Sequence, residues 1–458
     1  MSILIPNHRT PWALPGTYRV RMNGELGPTR PPSKRRARGA LRAVAVDLTP
    51  LRVSRDYRRI WSAELLSQVG SQITIVAVFI QVYRLTRSPV ALGIVGLVQL
   101  VPLILATIVG GPLIDRLDRR KILLATQAGL VLMSGTLLFG ATLSRPSLWL
   151  VYLPVGLAAG FSGVASPTRG SIVPNLIPIE ILSSAVALNQ IMWNAAMVAG
   201  PALGGLIVAS SRANGLTFAY AADVVSFGAT IYVTFRLPPQ IPKNHGEQPS
   251  TGARAIRQAF AFLRGKRVLQ ATFVVDLVAM IFGMPRALFP ILALKQFHRG
   301  PEIVGALFSA IAVGAVIGAS TAGWVGRIRR QGLAVLIAVA IWGACIALFG
   351  VVHVLPLAFV LLAAAGAADV ISAVFRGTIL QSTVTDSVRG RLTAIHILVV
   401  TGGPRLGDLE AGLVASAFTP TISVVSGGLA CIVGVFAIGV LIPQFARYQV
   451  GDPATMAT

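Results

Sequence analysis

The sequence predicts an all-α membrane protein of twelve transmembrane helices in two pseudo-symmetric six-helix bundles. Three observations carry that prediction. Of 458 residues, 54% are hydrophobic and only 12% charged, about half the charged share of an ordinary soluble domain. Twelve apolar segments, centred near residues 72, 100, 131, 159, 197, 225, 279, 313, 341, 366, 404 and 431, each supply the roughly 20 residues that a spanning helix needs. Local signatures of the first half return in the second at a slowly drifting displacement. The short alternating segments of a membrane barrel are absent.

Residues 1–55 are polar, basic and Pro-rich, and read as a disordered cytoplasmic arm without the apolar stretch of a cleavable signal. Its cluster Lys34, Arg35, Arg36 and Arg38 suits anionic lipid headgroups better than nucleic acid. Residues 56–236 form the first bundle and 268–443 the second. Between them, 237–267 is polar and Pro-containing, as a cytoplasmic linker should be, and 444–458 is a cytoplasmic tail. Segments 1–59, 115–121, 237–267 and 327–331 hold 26 of the 40 Lys and Arg residues. The intervening connections carry only Arg84, Arg87, Arg145, Arg212, Lys295 and Arg299. This is the positive-inside pattern of a multi-pass protein in a bacterial cytoplasmic membrane, with both termini inside. The net charge of +24 thus speaks for orientation. Cys345 and Cys431 lie within apolar runs, where cysteine is a small packing residue.

The internal repeat is built from short matches. Pro89, Gly93 and Gly111 recur as Pro301, Gly305 and Gly323, displaced by 212 residues. Arg169-Gly170-Ser171-Ile172 returns as Arg376-Gly377-Thr378-Ile379 at 207, and Gly200-Pro201-Ala202-Leu203-Gly204 as Gly403-Pro404-Arg405-Leu406-Gly407 at 203. Shared order makes coincidence a poor explanation. Duplicated bundles around a midplane site are the architecture of alternating-access transporters.

The loop Gly110-Gly111-Pro112-Leu113-Ile114-Asp115-Arg116-Leu117-Asp118-Arg119-Arg120-Lys121 gives the repeat a family. Over residues 55–445 the chain resembles the major facilitator superfamily, whose loop between helices two and three has this form. The resemblance implies that Asp115 latches the neighbouring bundle and steadies the outward-open state, with Gly111, Arg116, Arg119 and Arg120 completing the motif. Asp118 stands where the family usually has glycine. A plain orientation-setting turn is the competing reading. Gly200, Pro201, Gly204 and Gly205 resemble the kinked motif of drug/proton antiporters, and Gly403, Pro404 and Gly407 repeat it. Glycine admits close helix approach and proline removes a helical hydrogen bond. Ordinary packing also accounts for these residues. The segment 402–412, with the run Gln68-Val69-Gly70-Ser71-Gln72 and the start of helix one at 54–61, resembles the siderophore-exporting branch.

Charges inside apolar helices are functional candidates because they are costly there. Glu64, Gln68 and Gln72 recur every four residues and form a stripe suited to a cavity, although Glu64 also suits a headgroup position. Arg405 and Asp408 share a helix face and are expected to pair, leaving Glu410 over. At about 1.5 Å per residue, Arg405 lies roughly 21 Å beyond Arg391, near the midplane. A structural ion pair is the plainer reading. Asp276 and Asp369 lie deep, and Asp276 is the preferred proton carrier, since an isolated buried carboxyl can exchange a proton as access alternates. Asp223 and Arg286 are expected to pair as an external gate. Arg169 and Arg376 are expected to snorkel or cap.

No metal-ligand spacing links His8, His245, His298, His353 and His396, and no phosphate-binding loop of the Walker type occurs. The expected protein is therefore not an enzyme and needs no cofactor beyond a proton gradient. It is read as a monomeric exporter of a small organic molecule, siderophore-like by resemblance. A multidrug or macrolide pump is the alternative within the fold, and a non-transporting receptor or scaffold the alternative outside it.

Overall fold

In a computed structural model, residues 47–242, 257, 261–383 and 386–449 are described. The basic cluster at 34–38, His8, His245, most of the linker at 237–267 and the end of the tail lie outside the described residues. Twelve long helices follow one another: α1 (Arg55–Thr86), α2 (Pro89–Arg116), α3 (Arg119–Thr142), α4 (Trp149–Leu176), α5 (Leu182–Ser210) and α6 (Gly215–Phe235). The second set is α7 (Arg267–Phe282, resuming as Phe289–Lys295), α8 (Pro301–Thr321), α9 (Gln331–Val351), α10 (Leu355–Thr383), α11 (Asp386–Ala417) and α12 (Pro420–Leu441). Each coincides with one apolar segment of the sequence. Eleven of these spans are long and apolar enough to cross a membrane; in α11 the charges at Arg405, Asp408 and Glu410 dilute the apolar run.

Local chemistry sets the helix starts. Ser54, Ser88 and Thr419 each accept a hydrogen bond from the third residue beyond, satisfying an otherwise free N–H. Pro89, Pro301 and Pro420 open their helices, where a missing N–H costs nothing. Within α7, Gly283 and Pro285 interrupt the ladder, and a single 3-10 turn, Arg286–Leu288, precedes the resumption.

The two sets pack alike. In the first, α1 meets α5 and α6, α2 meets α4, and α3 meets α4 and α6; in the second, α7 meets α11 and α12, α8 meets α10, and α9 meets α10 and α12. The halves join where α2 crosses α11 and α5 crosses α8. Both crossings are glycine on glycine. A Cβ added to Gly205 would stand 2.7 Å from the carbonyl oxygen of Pro301 and 3.0 Å from Cα of Gly305. At Gly412 the corresponding distances to Pro89 and Gly93 are 2.6 and 2.9 Å.

These contacts correct the register of the repeat. Gly205 and Gly412 are 207 residues apart, and Gly93 and Gly305 are 212 apart. Gly200, packed on the Val69 carbonyl, is matched by Gly407 on the Ile281 carbonyl, again at 207 and 212. The Gly-Pro match at 203 is therefore not the structural one: Asp408, not Pro404, stands where the first half has Pro201.

The crossings lie at the end of the molecule remote from the 110–121 loop. There a buried cluster runs through both halves, with Phe289 and Phe308 rings edge to face at 4.9 Å and Phe79 tilted against Phe308. Toward the loop end, hereafter the basic end, the smaller apolar clusters each stay within one half. The halves are thus sealed together at one end and separate at the other.

Candidate functional site

Among the helices of the first half, and closed on one side by α11 of the second, lies a cavity of about 600 Å³ that reaches toward the basic end, within the range of small-molecule sites. From α1 it is lined by Gln68, Ser71, Gln72 and Thr74, from α2 by Gln99 and Gly111, from α4 by Arg169, from α6 by Asp223 and from α11 by Thr401 and Arg405. Phe79, Trp193, Phe227, further hydroxyl residues including Ser134, and aliphatic side chains complete the wall. The glutamine stripe thus faces the cavity as its spacing predicts. Gln68 donates to Glu64 Oε1 at 2.7 Å, and Gln72 is turned to the Met197 sulfur at 2.7 Å.

The charged residues combine differently from the sequence reading. Glu64 is buried and ion-paired to Arg169, so neither a headgroup position for the acid nor snorkelling for the arginine is observed. Arg376 is also buried, pairs with Asp276 and has Asp369 at 3.6 Å. Asp276 is therefore not isolated. Glu64 and Asp276 are 212 residues apart, and Arg169 and Arg376 are 207 apart, so the repeat has duplicated an ion pair between the first and fourth helices of each half.

The expected pairs Arg405–Asp408 and Asp223–Arg286 are both absent. Asp408 is bound by Arg286 at 3.0 Å, because the break in α7 places that arginine against α11. Arg405 turns back on its own helix and donates to the Thr401 carbonyl; its Nε is buried without a partner. Asp223 accepts from Ser134 Oγ at 2.7 Å and pairs with no cation among the described residues. Glu410, half-buried on α11, likewise has no ion pair among the described residues.

At the loop, Asp115 and Arg116 are exposed, and Asp115 has no hydrogen bond or ion pair among the described residues. The acid that organises the turn is Asp118, the departure from the family pattern. It caps α3 through Arg120 N–H at 3.0 Å and accepts Gln240 N–H at 2.9 Å. Arg119 donates to the Ser171 carbonyl at 2.9 Å, and Arg120 donates to the Phe235 carbonyl. Gly111 lines the cavity. None of these bonds reaches the second half.

Sequence reasoning passed over Gln99, Ser134 and Trp193. The signal for the first two was present: each is a polar residue in the middle of an apolar helix, where lipid would penalise it. Cys431 is buried and donates to the Val278 carbonyl at 3.5 Å, and Cys345 is half-buried, as expected of packing residues. Among the described residues no group of His, Cys, Asp or Glu could hold a metal ion.

Comparison with known proteins agrees with this arrangement. The family model "Transmembrane secretion effector" matches residues 45–451. The enterobactin exporter EntS of Citrobacter koseri is 25% identical over 413 residues, covering 89% of this chain and 97% of that protein. EntS of Shigella boydii is 27% identical over 425 residues, covering 90% and 98%. Among solved structures, a bacterial homologue of the iron transporter ferroportin in an inward-facing state has a TM-score of 0.62 at 16% identity, covering 86% of this chain and 98% of that one. A point mutant of the nucleoside transporter NupG has a TM-score of 0.68 at 11% identity, covering 84% and 100%. At such identities the structural likeness concerns the fold.

Proposed function

Because the chain belongs to the transmembrane secretion effector family of major facilitator transporters, we propose that it exports a small organic molecule by alternating access in exchange for protons. The observation that carries this reading is the cavity, sealed at one end by the two glycine crossings and lined from both halves by hydrogen-bonding groups. A site shared between two rigid bodies changes its exposure when the bodies rock. The basic end faces the bacterial cytoplasm by the positive-inside rule, so the arrangement described is the loading state. Asp115, exposed here, is free to engage the second half when the basic end closes.

The relatives, named as enterobactin exporters, support a siderophore-like substrate. Gln68, Gln72, Gln99 and Arg405 supply hydrogen bonds to its polar groups, while Phe79 and Trp193 pack on its rings. The same aromatic and aliphatic wall favours amphiphilic drugs as a second reading. A scaffold would have little use for an unpaired guanidinium in a cavity.

Purified protein in liposomes, given an inward proton gradient, is expected to expel labelled enterobactin. Movement of a hydrophobic dye but not enterobactin would select the drug reading. Failure to move either would defeat the exporter reading.

A further inference from the structure

We propose that the exchanged proton is carried by Asp223, in a socket within the first half formed by Ser134, Ser226 and Gly70. This rests on the proton-coupled exporter reading and locates its coupling site.

Among the described residues Asp223 is the one carboxylate lining the cavity. Only 2% of its surface is exposed. Oδ2 accepts from Ser134 Oγ at 2.7 Å, while Oδ1 is buried without a partner. Ser226 closes the socket on the same helix, its hydroxyl donating to the Asp223 main-chain carbonyl at 2.8 Å. On α1 the wall is Gly70, where a Cβ would stand 2.9 Å from Oδ1; any larger side chain would press on the carboxylate. Thr74, one turn along, turns its hydroxyl toward the same carboxylate. Hydroxyl groups from α1, α3 and α6 thus surround a carboxylate that has no cation partner among the described residues.

The surrounding charges are accounted for. On α1 the acids are Glu64, held by Arg169, and Asp56 in the first turn, beside Arg59, and the basic groups flank the helix ends. Beyond Lys121, α3 has no charged residue, and neither has α5. On α6 the other titratable neighbour is Tyr220, whose hydroxyl donates to Gln81 Oε1 at 2.6 Å. Arg405 lines the same cavity from the second half and forms no ion pair with Asp223. Every other acid set deep in the helices, apart from Glu410 outside the cavity wall, is tied to an arginine.

The guest that fits is a proton. Hard metal cations gather about six oxygens, and the Ser134 and Ser226 hydroxyls already spend their protons as donors here. A proton needs one carboxyl oxygen. At the far face an O–H bond of hydronium breaks as one forms on Asp223, and at the basic end that bond breaks in turn as water takes the proton and becomes hydronium. No other bond changes.

The test reads the carboxyl directly. In proteoliposomes of the full chain, pH-difference infrared spectra should show a protonated-carboxyl band in the wild type. The band should vanish in Asp223→Asn, persist with a moved frequency in Asp223→Glu, shift in Ser134→Ala, and survive Glu410→Gln. An unaltered band in folded Asp223→Asn, or its loss in Glu410→Gln instead, would overturn the proposal. In a second arm, gradient-driven enterobactin efflux should fall at least about tenfold in Asp223→Asn while gradient-free counterflow stays within about twofold. Equal loss of both would mean a structural role and would also overturn it. Wild-type protein that moves no enterobactin in either mode fails the exporter reading, and the infrared arm still decides on the carboxyl.

Discussion

Arg376 on α10 is ion-paired to Asp276 on α7, at the positions where the first half pairs Arg169 on α4 with Glu64 on α1. Removing one partner of a buried pair leaves an uncompensated charge. Asp276→Asn is therefore expected to cost about 3–5 kcal/mol, read as a lowered Tm in detergent. Glu64→Gln should cost less, because Arg169 lines the cavity and can be hydrated. If Asp276→Asn kept the wild-type Tm and lost only proton coupling, Asp276 would regain the role given above to Asp223.

The same reasoning separates two arginines near α11. Arg286→Gln strands Asp408 and should again destabilise by about 3–5 kcal/mol. Arg405→Gln breaks no ion pair, so Tm should hold while enterobactin binding weakens about tenfold. Calorimetric binding beside a thermal melt checks both, and an unchanged affinity would remove Arg405 from the substrate site.

At the loop, Asp118→Ala removes a helix cap and the anchor of Gln240, and should cost about 1–2 kcal/mol. Asp115→Asn should leave Tm alone. Its effect belongs to the other conformation: labelling of a cysteine at the basic end should rise as the closed state loses its latch. Identical labelling would leave Asp115 as a solvated acid.

The crossings give a fourth expectation. Gly205→Leu or Gly412→Leu forces the backbones apart at the sealed end, where even a Cβ has no room. A bias of about 1.4 kcal/mol shifts the conformational ratio tenfold. Cysteines flanking the crossings should become reactive from the far face, and wild-type protection in the variants would show that the seal lies elsewhere.

What could be read from the sequence was what is local or cumulative. Apolar runs and the distribution of Lys and Arg gave all twelve helices, and glycine spacing gave the repeat. Partnerships were not legible. Asp276 looks isolated because Arg376 is 100 residues away, and no periodicity links residues on different helices. Arg405 and Asp408 share a face, but Arg286 from the broken α7 reaches the acid. The 203 displacement follows residue identity, whereas packing at Gly407 and Gly412 follows what each backbone touches. Asp223, paired in anticipation with Arg286, meets Ser134 because α6 and α3 lie together.

Closure by backbone against backbone separates two tasks within one molecule. At Gly205 with Gly305, and at Gly93 with Gly412, no side chain stands between the helices, so these crossings carry nothing that could recognise a passenger. On the proposed reading, choice falls to the walls at Gln68, Gln72, Gln99 and Arg405, which line the cavity. Those walls can be rewritten over evolutionary time without retooling the door, which is how one chassis can come to serve many cargoes.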